Sequence, residues 1–151
     1  MSETIALFGA GGKMGGRLAR NLVKSEFRIA PVEVGEAGRQ RLKTELGLDC
    51  VEADIALDGA DVVVLAVPDT LIGRVSHAIA PKLKPGTMVV ILDAAAPFAG
   101  HLPERPDPTY FVTHPCHPPI FNNESRRPGF SPHRHIDLDA DGASNSCPGQ
   151  R

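Results

Sequence analysis

Residues Gly9 to Gly16 read GAGGKMGG, five glycines in eight positions, directly after the apolar run Thr4 to Phe8, TIALF. Glycine is entropically costly in an ordered chain, so a cluster has a reason: a flexible loop, or a backbone pressed against a ligand. The flanks decide between these. TIALF has the length and continuous apolar character of a buried parallel strand that ends at glycine. After the cluster, Met14, Leu18 and Leu22, with Ala19, recur at helical spacing, which predicts a helix over about Lys13 to Lys24. The glycines therefore fill a strand-to-helix turn.

The same alternation continues along the chain. Arg28 to Val34 (RIAPVEV) reads as a second strand, with Pro31 arguing for an edge position. Glu36 to Leu46 reads as a helix stopped by Gly47, and Asp49 to Val51 as a short third strand. Asp61 to Val67 (DVVVLAV) is the strongest strand, broken by Pro68-Asp69. Leu71, Ile72, Val75, Ile79 and Leu83 then form an apolar helical stripe ended by Pro85-Gly86. Met88 to Leu92 and Tyr110 to Thr113 complete the strands. Strands alternating with helices mean βαβ units: an α/β fold with a doubly wound, mostly parallel sheet of Rossmann type.

Bulk properties agree with a single soluble domain. The chain has 151 residues, 42% hydrophobic and 23% charged, and a formal net charge of −2. That charge gives no basic field for nucleic acid or an anionic membrane. No apolar run reaches the roughly 18 residues of a membrane-spanning helix, and the N-terminus has no signal-peptide pattern. Cys50, Cys116 and Cys147 are too few and too scattered for a disulfide framework. A reduced, cytoplasmic protein is the expectation.

In a doubly wound sheet, a glycine-rich turn between the first strand and first helix is where a dinucleotide pyrophosphate meets the helix N-terminus. The common spacing G-x-G-x-x-G fails here, because position 14 is Met14. G-x-x-G-x-x-G fits, through Gly9, Gly12 and Gly15, with Gly11 extra, and Lys13 and Met14 lie between. An acid follows at the end of the second strand, Glu33, eighteen residues beyond Gly15. A carboxylate there accepts hydrogen bonds from adenosine ribose hydroxyls and repels a 2′-phosphate, which favours NAD. Glu36 is a second candidate for that role. Lys13, Arg17, Arg39 and Arg41 keep NADP open, since basic groups near the turn suit a 2′-phosphate.

GAGGKMG, together with VVVLAVPD at Val62 to Asp69, resembles the β-hydroxyacid dehydrogenase superfamily in its phosphogluconate and prephenate dehydrogenase branches. The first stretch is also similar to the opening of dihydrodipicolinate reductases. LDAAAPFAGHLPER (Leu92 to Arg105) and TYFVTHPCHPPIFNNE (Thr109 to Glu124) resemble a narrower oxidoreductase group that includes D-apionate oxidoisomerase. The resemblance implies an NAD(P)-dependent dehydrogenase or oxidoisomerase of a small hydroxy or sugar acid such as D-apionate. It implies that Val67, Pro68 and Asp93 lie beside the cofactor. In that group an all-helical C-terminal domain completes the substrate pocket and forms a homodimer. Here the likeness stops after Glu124, which divides the chain into a dinucleotide-binding domain, 1–124, and a polar Pro/Gly-rich tail, 125–151. A shifted reading frame or premature end would account for this. The alternative function is then a truncated nucleotide-binding module without turnover.

The segment His114-Pro115-Cys116-His117-Pro118-Pro119 follows the last strand, at the sheet edge where ligands bind. It resembles the His-Pro-Met stretch beside the substrate of prephenate dehydrogenases. His114 is therefore the first candidate for a substrate contact or general base, with His117 and Asn122 orienting the substrate. Cys116 as a nucleophile, or as a zinc ligand beside the two histidines, is a weaker reading, because a rigid H-P-C-H run does not converge easily on one metal. Asp137, Asp139 and Asp141 followed by Gly142 copy the start of a calcium loop. Its twelfth position is Pro148 rather than Glu, so no metal site is expected.

Overall fold

A computed structural model describes residues 2–113. Five strands, β1 (Thr4–Phe8), β2 (Arg28–Val32), β3 (Val62–Leu65), β4 (Met88–Ile91) and β5 (Thr109–Val112), form one sheet in the order β2-β1-β3-β4-β5. Every pairing among them is parallel. Helices α1 (Lys13–Leu22), α2 (Glu36–Leu46), α3 (Ala53–Asp58), α4 (Asp69–Ile79) and α5 (Ala95–Phe98) fill the connections, with a 3-10 turn at Ala80–Lys82. This is the Rossmann-like, doubly wound fold that the alternation implies.

The pleat sends alternate side chains to opposite faces, and at β1 and β3 both faces are covered. Ala6 and Phe8 of β1, Val63 and Leu65 of β3, and Val89 and Ile91 of β4 pack with Leu57 of α3 and with Ile72 and Ile79 of α4. Ile5 and Leu7 of β1 and Val64 of β3 pack on the other side with Ala19 of α1 and Leu42 of α2. Double burial explains why β3 reads as an unbroken apolar run; β4 is buried at Val89 and Ile91, while Met88 on its other face is exposed. Leu83, the last residue of the helical stripe, is buried in the first cluster although it lies beyond α4 and the 3-10 turn.

β2 is an edge strand, which is why it tolerates Pro31. The Pro31 carbonyl accepts from the Val51 N–H at 2.9 Å, and so points away from β1. A parallel ladder would need a return bond from the N–H of position 31 to the chain near Asp49, and proline has none to give. The strand expected over Asp49–Val51 therefore does not form; this segment is coil tied by one bond. β1 falls where expected; β2, β3 and β4 are shorter than expected by two, three and one residues, and β5 lies one residue earlier, at Thr109–Val112. The first helix ends at Leu22 rather than Lys24, while α2 and its left-handed cap at Gly47 (φ 66°) fall where expected.

The order of strands reverses between β1 and β3, whose chains leave in opposite directions along the sheet. In open α/β sheets the crevice outside the carboxyl ends of such a pair is where ligands sit. Gly9 follows β1 and Ala66-Val67 follow β3, so the sequence's most unusual turn stands at that point.

Leu65 is fully buried at the centre of the sheet. Leu65→Ala should cost about 2–5 kcal/mol from lost burial and the cavity left behind. Urea unfolding followed by circular dichroism measures this; a loss below about 1 kcal/mol would contradict the packing described.

Candidate functional site

The turn after β1 is held from two sides. Gly9 and Ala10 donate their N–H groups to the Val32 carbonyl at the end of β2, at 3.0 and 3.3 Å. The Gly12 N–H returns to the Gly9 carbonyl at 3.0 Å. Gly9 has φ +74°, a left-handed conformation, and a Cβ there would stand 2.4 Å from the Ala66 carbonyl oxygen beyond β3. A Cβ on Gly15 would stand 2.0 Å from the Gly9 carbonyl oxygen and 2.8 Å from the Ala10 Cα. A Cβ on Gly12 would lie 3.2 Å from the same Gly9 oxygen, and one on Gly16 only in ordinary contact. Of the three spaced glycines, Gly15 closes α1 on the turn, Gly9 closes the turn on the end of β3, and Gly12 meets a tight contact with the Gly9 carbonyl.

Gly12 is the N-cap of α1, with extended backbone (φ −72°, ψ 176°), no side-chain cap and no acidic residue in the first turn. The N–H groups of Lys13, Met14 and Gly15 lack intrahelical acceptors by their position, and the helix dipole places partial positive charge there. The site therefore offers main-chain donors to an anion, with a surface that a Cβ would fill.

Glu33 follows β2 and bridges the turn to α2. Its Oε2 accepts from the Gly11 N–H at 2.8 Å and its Oε1 from the Gly35 N–H at 2.9 Å. The Arg39 Nε donates to the Glu33 carbonyl oxygen at 2.6 Å, and the Arg41 Nη1 donates to the Gly11 carbonyl oxygen at 2.9 Å. Two of the basic residues noted in the sequence thus brace this corner through main-chain oxygens. Glu36, the second acidic candidate, opens α2 and lines a separate hollow with Arg39, Lys43 and Asp49.

On the other side of the turn, Met14, Leu65, Ala66, Val67, Ile72 and Asp93 line a cavity of about 220 Å³ that runs along the carboxyl ends of β3 and β4. Pro68, between the lining residues Val67 and Asp69 in the chain, is the N-cap of α4, and the Asp93 Oδ1 accepts from the Ala95 N–H at 2.9 Å at the start of α5. Gly9, Gly11, Gly12, Lys13, Met14, Gly15, Glu33, Val67, Pro68 and Asp93 are thereby brought to one edge of the sheet. A larger hollow of about 680 Å³ lies between α4 and α5, with Arg74, His77 and His101 on its walls, and it shares Asp69 with the first. Nothing in the spacing of His77 and His101 marks them in the sequence, since His77 lies in α4 and His101 in the coil after α5.

His114, Cys116, His117 and Asn122 lie outside the described residues, as do Asp137, Asp139 and Asp141. Among the described residues no three His, Cys, Asp or Glu side chains converge on a common point that could hold a metal. Among them, too, no helix is long and apolar enough to cross a membrane.

A family model described as NADP oxidoreductase coenzyme F420-dependent matches residues 4–97, from β1 through α5. The chain belongs to that family. The chain is 69% identical over 125 residues to D-apionate oxidoisomerase of Cupriavidus necator, covering 83% of this chain and 45% of that protein. It is 69% identical over 121 residues to D-apionate oxidoisomerase of Rhizobium rhizogenes, covering 80% and 44%. A crystal structure described as a semialdehyde dehydrogenase NAD-binding protein from Cupriavidus necator, in complex with calcium and NAD, superposes with a TM-score of 0.76 at 68% identity. That match covers 84% of this chain and 46% of the other. The match covers less than half the length of these relatives.

Gly15→Ala drives its methyl into the Gly9 carbonyl, a main-chain atom fixed by the turn. It should lower stability by about 2 kcal/mol or more, as overpacking of a rigid contact does, or prevent folding. Thermal melting checks this, with Gly16→Ala, which meets open contact, staying within about 1 kcal/mol of the parent.

Proposed function

We propose that this chain is the cofactor-binding part of an NAD(P)-dependent oxidoreductase, a dehydrogenase or oxidoisomerase of a small hydroxy or sugar acid such as D-apionate. One observation carries the reading: a turn closed by Gly9, Gly12 and Gly15 opens onto an uncapped helix N-terminus at the reversal of strand order, with the Glu33 carboxylate beside it. High identity to D-apionate oxidoisomerases supports the substrate class.

In this reading the N–H groups of Lys13, Met14 and Gly15 take the pyrophosphate, and Gly11 and Gly12 let it approach the backbone without a side chain in the way. A carboxylate has about four lone-pair sites, and Gly11 and Gly35 occupy two. Glu33 keeps two for the ribose hydroxyls, and its charge disfavours a 2′-phosphate, so NAD is the preferred form. Met14, Val67, Pro68 and Asp93 border the space left for the nicotinamide half. Bound there, the nicotinamide carries the hydride chemistry. His114 serves as the base that accepts the hydroxyl proton of the substrate, and His117 and Asn122 orient it.

A second reading is favoured by the coverage of the relatives. In it the chain is a nucleotide-binding module without turnover; the match covers 45% and 44% of the relatives' own length.

The test is a fluorescence titration with NADH and, separately, NADPH. NADH should saturate, and Glu33→Ala should weaken it about tenfold or more through lost charge-assisted hydrogen bonds. Folded protein that binds neither nucleotide would sink the assignment. Given binding, NADH formation from D-apionate that His114→Ala abolishes favours the enzyme; saturable binding with no turnover favours the bare module.

A further inference from the structure

Gly38 is the third residue of α2, a place where glycine weakens a helix and nothing in the backbone asks for it. Its φ lies outside the left-handed region that Gly9, Gly47, Gly86 and Gly100 adopt. What it lacks is space. A Cβ at Gly38 would stand 2.8 Å from the Glu33 Cγ, 2.9 Å from its Cδ and 3.2 Å from its Oε2. The neighbouring turn is as close: a Cβ on Gly11 would meet the Gly38 Cα at 2.5 Å. Two bare glycine backbones thus form a slot, and the Glu33 side chain lies in it with one oxygen on the Gly11 N–H and the other on the Gly35 N–H.

We infer that Gly38 is a positioning residue that sets the nucleotide preference of this site by seating the Glu33 carboxylate. The inference rests on the dinucleotide reading above. The atoms nearest to a Cβ at Gly38 all belong to the Glu33 side chain, which can rotate, and none to main chain. A methyl there is therefore accommodated by displacing Glu33 from the Gly11 and Gly35 N–H groups, while the packing of α2 on the turn survives. The displaced carboxylate no longer meets the ribose hydroxyls and no longer repels a 2′-phosphate. Arg39 and Arg41, held beside the turn, remain to favour that phosphate.

The experiment titrates the full chain and its variants with NADH and with NADPH, alongside thermal melting. The parent should bind NADH more tightly. Gly38→Ala should lower the NADH-over-NADPH ratio about tenfold, the scale of a lost charge-assisted hydrogen bond, with the NADPH affinity unchanged or raised. A general loosening of the turn would weaken both nucleotides together and leave the ratio alone, which would overturn the inference. The double variant Glu33→Ala/Gly38→Ala tests the route, because a residue acting only through Glu33 adds nothing once that side chain is gone. Its ratio should equal that of Glu33→Ala; a further drop would overturn the inference. Should Gly38→Ala alone fail to fold, the double variant should still fold, since the colliding atoms are absent. Failure of both to fold would assign Gly38 to packing instead. A parent chain that binds neither nucleotide overturns the dinucleotide reading itself, and this inference with it.

Discussion

How close α1 begins to β1 governs the carboxyl edge of this sheet. The Gly9 carbonyl oxygen lies where a Cβ on Gly15 would be, 2.0 Å away, and the Ala66 carbonyl oxygen lies 2.4 Å from a Cβ on Gly9. Any side chain at either position would push the helix off the strand or the turn off β3. With both absent, the helix starts at the strand's end, its first N–H groups emerge at the crevice between β1 and β3, and the cavity bordered by Met14, Val67 and Asp93 opens beside them. The chemistry available at this edge, donation from main chain to an anion, follows from that contact.

Glu33 extends the same corner to the edge of the sheet. It is not part of the glycine turn, yet it hydrogen-bonds to Gly11, twenty-two residues earlier, and to Gly35 at the entry to α2. Arg39 and Arg41, from the first half of α2, tie back to the Glu33 and Gly11 carbonyls. The turn, the end of β2 and α2 thus form one hydrogen-bonded unit, partly shielded from water, where each bond limits the freedom of the next. That order holds the Glu33 carboxylate against its two N–H donors.

Much of the frame is legible in residue order because its signals are local. Four of the five strands are short apolar stretches that end just before Gly9, Ala66, Leu92 and Thr113; α2 has its stop at Gly47. Pro31 correctly marks an edge, but its consequence for Asp49–Val51 is a pairing effect, and a run of β-friendly residues does not disclose that the neighbouring strand lacks a donor. Helix α3 has six residues and α5 four, too short for a periodic pattern, and both form because the sheet face above them has apolar surface to cover. Ala56 and Leu57 of α3 are buried there, and Ala96 of α5.

By itself the sequence determined the fold class, the place of the glycine turn and the acid that follows β2, because strand and helix periodicity and the punctuation of glycine and proline act over a few residues. Only the tertiary structure decided why each glycine is needed. Gly15 answers to Gly9, Gly9 to Ala66, Gly11 to Gly38, and Gly38 to Glu33. Gly38 carries no motif, and its partner in space is five residues before it in sequence, on the other side of the entry to α2. Contacts of this kind exist only once strands, turn and helix are assembled, when a missing methyl group becomes the room in which a carboxylate is held.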